Sequence, residues 1–260
     1  MLHLVILAVL QGVTEFLPVS SSGHLILLPY LMSWSYQGIA MDIGLHLGTL
    51  AAVCVYFFGD LLSVLKGVFK KGAGRQLFFL LLIGTAPILI LGLFAADKIE
   101  QSLRSPLIIA FMLIFFGVLL WGADKFSQSR KTIAKMTMLD ALVIGSAQCL
   151  ALIPGVSRSG ITMTAARFCG VKRPEAARFA MLLSVPAIGA AGAWLLLKLV
   201  LSGDLAALNA EFFYAMLFSF ISGLAVICFL MKWVQKHSFF AFMIYRIALG
   251  LVIMGLVLFK

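Results

Sequence analysis

The chain has 260 residues, of which 63% are hydrophobic and 12% charged, with a mean hydropathy of +1.11. A soluble domain carries about twice that share of charge, so a water-soluble globule is excluded and an integral membrane protein is indicated. The net charge of +10 sits in short segments between apolar runs, which speaks for membrane topology and lipid headgroups and against a nucleic-acid partner.

The first element is an apolar stretch over about 1–30, interrupted by Gln11, Glu15, Pro18 and Ser20–Ser22. With no basic leading region, and with Glu15 and Pro18 inside the apolar run, it does not read as a cleavable signal peptide. Three intact stretches follow at 43–59, 76–96 and 106–123, each near the roughly 20 residues that a hydrocarbon core requires. A polar linker at about 124–138 leads to a second broken stretch, about 139–166, and then to spans at 179–197, 212–231 and 239–259. No soluble domain fits between them, so 1–260 reads as one membrane domain. Cys54, Cys149, Cys169 and Cys228 lack the spacing of a zinc site or disulfide framework and read as buried thiols. Gly44, Gly48 and the Gly189–Gly192 region predict close helix packing.

Charge sets the orientation. Segments 60–75, 124–138 and 167–178 each carry a net +3 and 232–240 carries +2, whereas 32–41 and 97–106 are neutral and 198–212 carries −1. Under the positive-inside rule the basic segments are cytoplasmic loops. If 139–166 crossed the bilayer, its two basic flanks would fall on opposite sides; a re-entrant hairpin keeps both inside. Shifting the sequence by 137 positions lays Gln11 on Gln148, Val19 on Val156, Ser20 on Ser157, Ser22 on Ser159 and Gly23 on Gly160. By that symmetry the first broken stretch is re-entrant too. Three spans per copy is an odd number, so the second copy is inverted; the hairpins enter from opposite faces, with both termini outside. The expected fold is an all-α polytopic membrane protein of two inverted-topology repeats. Each repeat (about 1–123 and about 139–260) is a re-entrant helix hairpin plus three transmembrane helices.

The hairpin tips carry the chemistry. Pro18 and Pro154-Gly155 stop a first helix, and Ser20–Ser22 and Ser157–Ser159 are N-cap residue types where a second helix would begin. Two half-helix N-termini, the hydroxyls of Ser20, Ser22, Ser157, Ser159 and Thr162, the backbone at Gly160 and the charge of Arg158 form an expected anion cradle. Glu15 and Arg158 are the ionisable residues placed deepest, with His24 close by. A bare Glu15–Arg158 pair that pins the hairpins is the simpler alternative, but the serines and histidine exceed what such a pair requires. Asp140, Arg167 and Arg246 are read as interfacial, snorkelling residues. Asp42 and His46 lie four apart on one helix face and are read as a local hydrogen bond ahead of a metal ligand or proton carrier. Thr49 and Thr164 are read as satisfying backbone carbonyls. This set suits a phosphate or diphosphate group. Glu15 can hold a divalent cation, Ser21 or water can attack phosphorus, and His24 or Glu15 can serve as general base. Arg158 and the amides would stabilise charge on the equatorial oxygens.

At these tips, and across its whole length, the sequence resembles the undecaprenyl-diphosphate phosphatase family, also called the bacitracin-resistance family. One motif is Gln11 and Glu15 followed by Pro18-Val19-Ser20-Ser21-Ser22-Gly23-His24; the other is Pro154-Gly155-Val156-Ser157-Arg158-Ser159-Gly160-Ile161-Thr162. The resemblance implies hydrolysis of undecaprenyl diphosphate to undecaprenyl phosphate and inorganic phosphate, regenerating the lipid carrier for cell-wall synthesis and conferring bacitracin resistance. It implies a multi-pass protein of the bacterial cytoplasmic (inner) membrane, with its site open to the outer face. Glu15, Ser21, His24 and Arg158 are the implied catalytic positions, with Ser157, Ser159 and Thr162 around the phosphate. Mg²⁺ or Ca²⁺ is the implied cofactor, held by Glu15 and Gln11. Gln11 stands where many relatives carry glutamate; its carbonyl oxygen can coordinate but cannot act as a base. The Ser22-Gly23-His24 and Ser157-Arg158 pieces also echo acid-phosphatase-like lipid phosphatases, but Thr164 and Phe168 stand where that family needs histidine and aspartate.

The competing function is a polyprenyl-phosphate transporter or flippase, because inverted repeats with discontinuous helices are also a transporter architecture. The serine, histidine and glutamate together favour the enzyme. The sequence leaves the oligomeric state open.

Overall fold

The computed structural model describes residues 2–32, 34, 39–203 and 208–258. Asp204, an acidic residue of the segment 198–212, lies outside the described residues, as do 33 and 35–38 of the segment 32–41. The described chain is helical, and its one β contact is an isolated bridge between Lys131 and Val171. The helices are α1 (Leu2–Phe16), α2 (Ser21–Met32), α3 (Ile39–Tyr56), α4 (Phe58–Phe69), α5 (Ala73–Ser102) and α6 (Pro106–Phe126). They continue as α7 (Met138–Gln148), α8 (Arg158–Phe168), α9 (Arg173–Leu201), α10 (Ala210–Lys236) and α11 (Phe240–Leu258).

Helices α5, α6, α9, α10 and α11 each hold a segment long and apolar enough to cross a membrane. The expected span at 43–59 differs: α3 bends by 81° into α4, and the pair counts as a sixth crossing only if taken as one broken span. Residues 60–75, read as a loop from their charge, thus begin as a helix. Its period explains why. Leu61, Val64 and Gly67 recur on the inner side, while Leu62, Leu65 and Phe69 are exposed, the pattern of a helix lying along a surface. A Cβ at Gly67 would fall 2.2 Å from the Gly74 carbonyl carbon, so the glycine lets α4 fold back against the start of α5.

Close packing also joins the two halves. A Cβ on Gly48 would lie 2.3 Å from the Met216 carbonyl oxygen, and one on Gly12 would lie 2.0 Å from Ser222 Oγ, so α1 and α3 both approach α10 backbone to backbone. Gly44 is also close against Phe212, and a Cβ on buried Gly192 would meet the Leu47 side chain at 3.3 Å, whereas Gly189 faces open space and its packing role is not borne out.

The four basic segments are tied together. Arg178 pairs with Asp60; Arg167 and Arg173 both pair with Asp124, at 2.9 and 2.8 Å; and Asp124 also accepts from the Phe239 N–H at 3.1 Å. Gln76 bonds the carbonyls of Ala134 and Met136, and the Lys172 N–H bonds the Lys131 carbonyl at 2.9 Å. The snorkelling reading fails for two residues here. Arg167 is 2% exposed, because Asp124 and the Val171 carbonyl satisfy its guanidinium inside the protein. Asp140 is buried as the N3 residue of a capping box with Thr137, and it pairs with Lys131 at 2.8 Å.

Candidate active site

Each broken stretch folds as a helix, a tight turn and a second helix. In the first, α1 ends at Phe16, residues 17–19 turn, and Ser20 caps α2 by accepting from the Gly23 N–H at 3.3 Å. In the second, a 3₁₀ turn at Cys149–Leu152 extends α7, Pro154 and Gly155 turn, and Ser157 caps α8 by accepting from the Gly160 N–H at 3.1 Å. Ser20 and Ser157 adopt left-handed backbone, with φ of 74° and 72°. Such a conformation costs a non-glycine residue about 1–3 kcal/mol and collects at functional sites. Gly155 needs its glycine: φ is 95°, and a Cβ would meet the Ile109 carbonyl oxygen at 2.7 Å. Within each tip the paired hydroxyls also touch, Ser20 to Ser22 at 3.3 Å and Ser157 to Ser159 at 3.1 Å.

The tips meet. Arg158 Nη2 donates to Glu15 Oε1 at 2.7 Å, and Ser159 Oγ donates to the Leu17 carbonyl at 3.0 Å. The other Glu15 oxygen accepts from Ser21 Oγ at 2.6 Å and from Gln11 Nε2 at 3.0 Å. One buried carboxylate thus gathers an arginine, a serine hydroxyl and an amide, and both bonds from Arg158 and Ser21 are charge-assisted. Burying that carboxylate is tolerable only because each oxygen is occupied. Gln11 Oε1 has no hydrogen-bond partner although it is buried. With Glu15 it would offer a cation oxygen ligands of the hard type that Mg²⁺ or Ca²⁺ prefers, and the described residues hold no cluster of three or more His, Cys, Asp and Glu.

The other candidate residues bond elsewhere than to the Glu15 carboxylate. His24 bonds neither Ser21 nor Glu15; its Nδ1 is 2.7 Å from the Ser20 carbonyl and its Nε2 is 2.6 Å from the Tyr245 hydroxyl. Thr162 donates to the Arg158 and Ser159 carbonyls of its own helix, as Thr164 does to Gly160 and Thr49 to Leu45 and His46. His46 Nδ1 donates to the Asp42 carbonyl at 2.8 Å, the local bond expected.

Over residues 4–252 the chain matches the family described as bacitracin resistance protein BacA. It belongs to that family. Relatives named undecaprenyl-diphosphatase extend the match over almost the full length. Those of Hahella chejuensis and Elusimicrobium minutum are each 46% identical, covering 96% and 98% of this chain and 95% and 98% of their own. That of Desulforudis audaxviator is 43% identical over 98% of this chain and 97% of its own.

Two residues of this BacA-family chain carry more weight than sequence reasoning gave them. Arg246 is fully buried, not interfacial. Its guanidinium donates to the carbonyls of Leu113 and Met112 in α6, Pro18 in the first turn, and Gly155 and Val156 in the second. The turns leave the carbonyls of Pro18, Gly155 and Val156 outside any helix, and one arginine supplies them with donors. Tyr245, its neighbour on α11, holds His24. A Tyr-Arg pair in an otherwise apolar span was the available signal.

Proposed function

We propose that this chain is an integral membrane phosphatase that hydrolyses undecaprenyl diphosphate to undecaprenyl phosphate and inorganic phosphate. That recycles the lipid carrier for cell-wall synthesis and confers bacitracin resistance. The reading rests on the family membership, on relatives named for that activity, and above all on one observation. Ser21 Oγ stands 2.6 Å from a carboxylate oxygen of Glu15 whose other oxygen is held by Arg158. A hydroxyl in that position has its base already in contact, within the distance proton transfer requires. Ser21 attacks the terminal phosphorus as its proton passes to Glu15, the bond to the bridging oxygen breaks, and undecaprenyl phosphate departs. Water then releases phosphate from Ser21. Arg158 keeps N–H groups beyond the one given to Glu15 and directs them to the phosphoryl oxygens that gain charge. Glu15 and the unpartnered Gln11 carbonyl would hold Mg²⁺ or Ca²⁺. Once bound, the cation neutralises diphosphate charge.

The membrane arrangement we propose is the inverted repeat. Its support is the recurrence, 137 positions apart, of the left-handed serine, its cap bond and its hydroxyl pair. It is supported too by the bonding of residues 131 and 172, which brackets α7 and α8 as a hairpin that leaves where it entered. The basic segments face the cytoplasm under the positive-inside rule, in a bacterial inner membrane, and the site opens outward.

Purified protein in detergent, given undecaprenyl diphosphate and Mg²⁺, releases inorganic phosphate on this reading, and Arg158→Ala removes the release while leaving the protein folded. Wild-type protein with no cation-dependent release above background would overturn it.

A further inference from the structure

Where the basic segments meet, the protein holds a cavity that the reaction does not use. Its volume is about 360 Å³, and Phe126, Ser127, Arg130, Lys131, Phe168 and Gly170 are among the residues that line it. The backbone around it is held in place. The N–H groups of Arg130 and Lys131 both donate to the Gly170 carbonyl at 2.9 Å, and Lys131 bridges to Val171. Ser127 Oγ and the Gly170 N–H both donate to the Arg167 carbonyl, at 2.7 and 2.9 Å. Bare carbonyls at the C-terminal end of α8 would repel an anion, and these bonds cover them. The lining side chains divide by chemistry. Phe126 and Phe168 are 76% and 62% exposed, and Phe126 closes a helix long and apolar enough to cross a membrane. The Lys125 ammonium lies 4.8 Å from the centre of the Trp121 ring and 5.7 Å from that of Phe126. A tryptophan and a lysine together at the end of such a helix mark the level of lipid headgroups. On the polar part, Lys131 gives its charge to Asp140. Arg130 is exposed, and among the described residues its guanidinium meets no carboxylate. The neighbouring acids are engaged: Asp124 accepts from Arg167, Arg173 and the Phe239 N–H, and Glu175 from the Ile133 N–H.

We propose that this cavity seats the headgroup of an anionic phospholipid from the leaflet that borders the basic segments. Arg130 meets the phosphate, Lys125 adds its charge beside it, and the glycerol and first acyl carbons lie against Phe126 and Phe168. Basic pockets between membrane helices are the usual seats of such headgroups. A free phosphate ester would use Arg130 and leave both exposed rings without a role, which is why the lipid is the favoured occupant. The seat lies where the linker between the two repeats bonds the end of α8, so a bound lipid ties that junction together and stabilises the folded protein.

The test titrates full-length protein in a neutral detergent with dioleoyl phosphatidylglycerol and follows the unfolding midpoint. The midpoint should rise and saturate, with a bound lipid counted by native mass spectrometry, whereas phosphatidylcholine and glycerol 3-phosphate should leave it in place. Arg130→Gln should weaken the lipid's apparent affinity about tenfold, the loss of one charge-assisted hydrogen bond, and should leave the lipid-free midpoint unchanged. Lys71→Gln removes an equally exposed cation that does not line the cavity, and its affinity should stay within about twofold of wild type. Equal weakening by the two substitutions would overturn the seat and leave only diffuse attraction to basic loops. No saturable rise, or an equal response to phosphatidylcholine, would also overturn it. A matching response to glycerol 3-phosphate would replace the lipid by a soluble phosphate ester. None of these readouts involves turnover, so an inactive wild type would strike the phosphatase reading alone.

Discussion

Replacing Ser21 by alanine distinguishes a nucleophile from a residue that only orients Glu15. The hydroxyl donates a 2.6 Å hydrogen bond to Glu15 Oε2, and the residue is only partly buried. A hydrogen bond to a charged group contributes about 1.5–3 kcal/mol. At 1.4 kcal/mol per factor of ten, its loss slows turnover by roughly 10- to 150-fold if orientation is its whole role. Removing the attacking oxygen leaves no covalent route, and the loss should exceed about 10⁴-fold. The measurement is initial-rate phosphate release from undecaprenyl diphosphate in detergent. Acid quench with substrate labelled on its terminal phosphate should trap label in the wild type and none in Ser21→Ala. The unfolding midpoint should move little, since Glu15 keeps Gln11 and Arg158. Residual activity within about 150-fold of wild type would refute the serine mechanism and make water the direct nucleophile.

Arg246→Met should strand the three turn carbonyls of Pro18, Gly155 and Val156 and destabilise the protein by about 3–5 kcal/mol, seen as a marked drop in the unfolding midpoint; Arg246→Lys, with three donors, should recover part of it. Gln11→Glu should strengthen cation activation, because a second carboxylate beside Glu15 attracts Mg²⁺ and repels its neighbour without it. A Mg²⁺ titration of activity should shift to lower concentration, while chelator should inhibit the variant more deeply than the wild type.

The tips were legible because their rules are local. Proline and glycine end a helix, serine begins one, and a 137-residue shift shows the rule applied twice. The meeting of Glu15, Ser21 and Arg158 followed from charge in an apolar setting. Arg246 was not legible because its partners are backbone carbonyls, which leave no trace in residue type. Its charge inside an apolar span signals a buried role, and the turns' need for donors says which one. Segment 60–75 was misread because its lysines outweighed the Leu61, Val64 and Gly67 period that places it against α5. The Tyr245–His24 bond joins residues 221 apart, a distance that no local pattern spans.

The arginine that serves both turns also limits how the molecule can move. A carrier that alternated by parting its hairpins would break the Arg158–Glu15 pair, the Ser159–Leu17 bond and one side of the Arg246 fan together. Two charge-assisted bonds and one neutral bond amount to at least about 3.5 kcal/mol, so the parted state is populated below roughly one molecule in three hundred. A carrier working by parting these hairpins would have to supply that energy in every cycle, whereas cutting a headgroup at the seam asks for no parting at all.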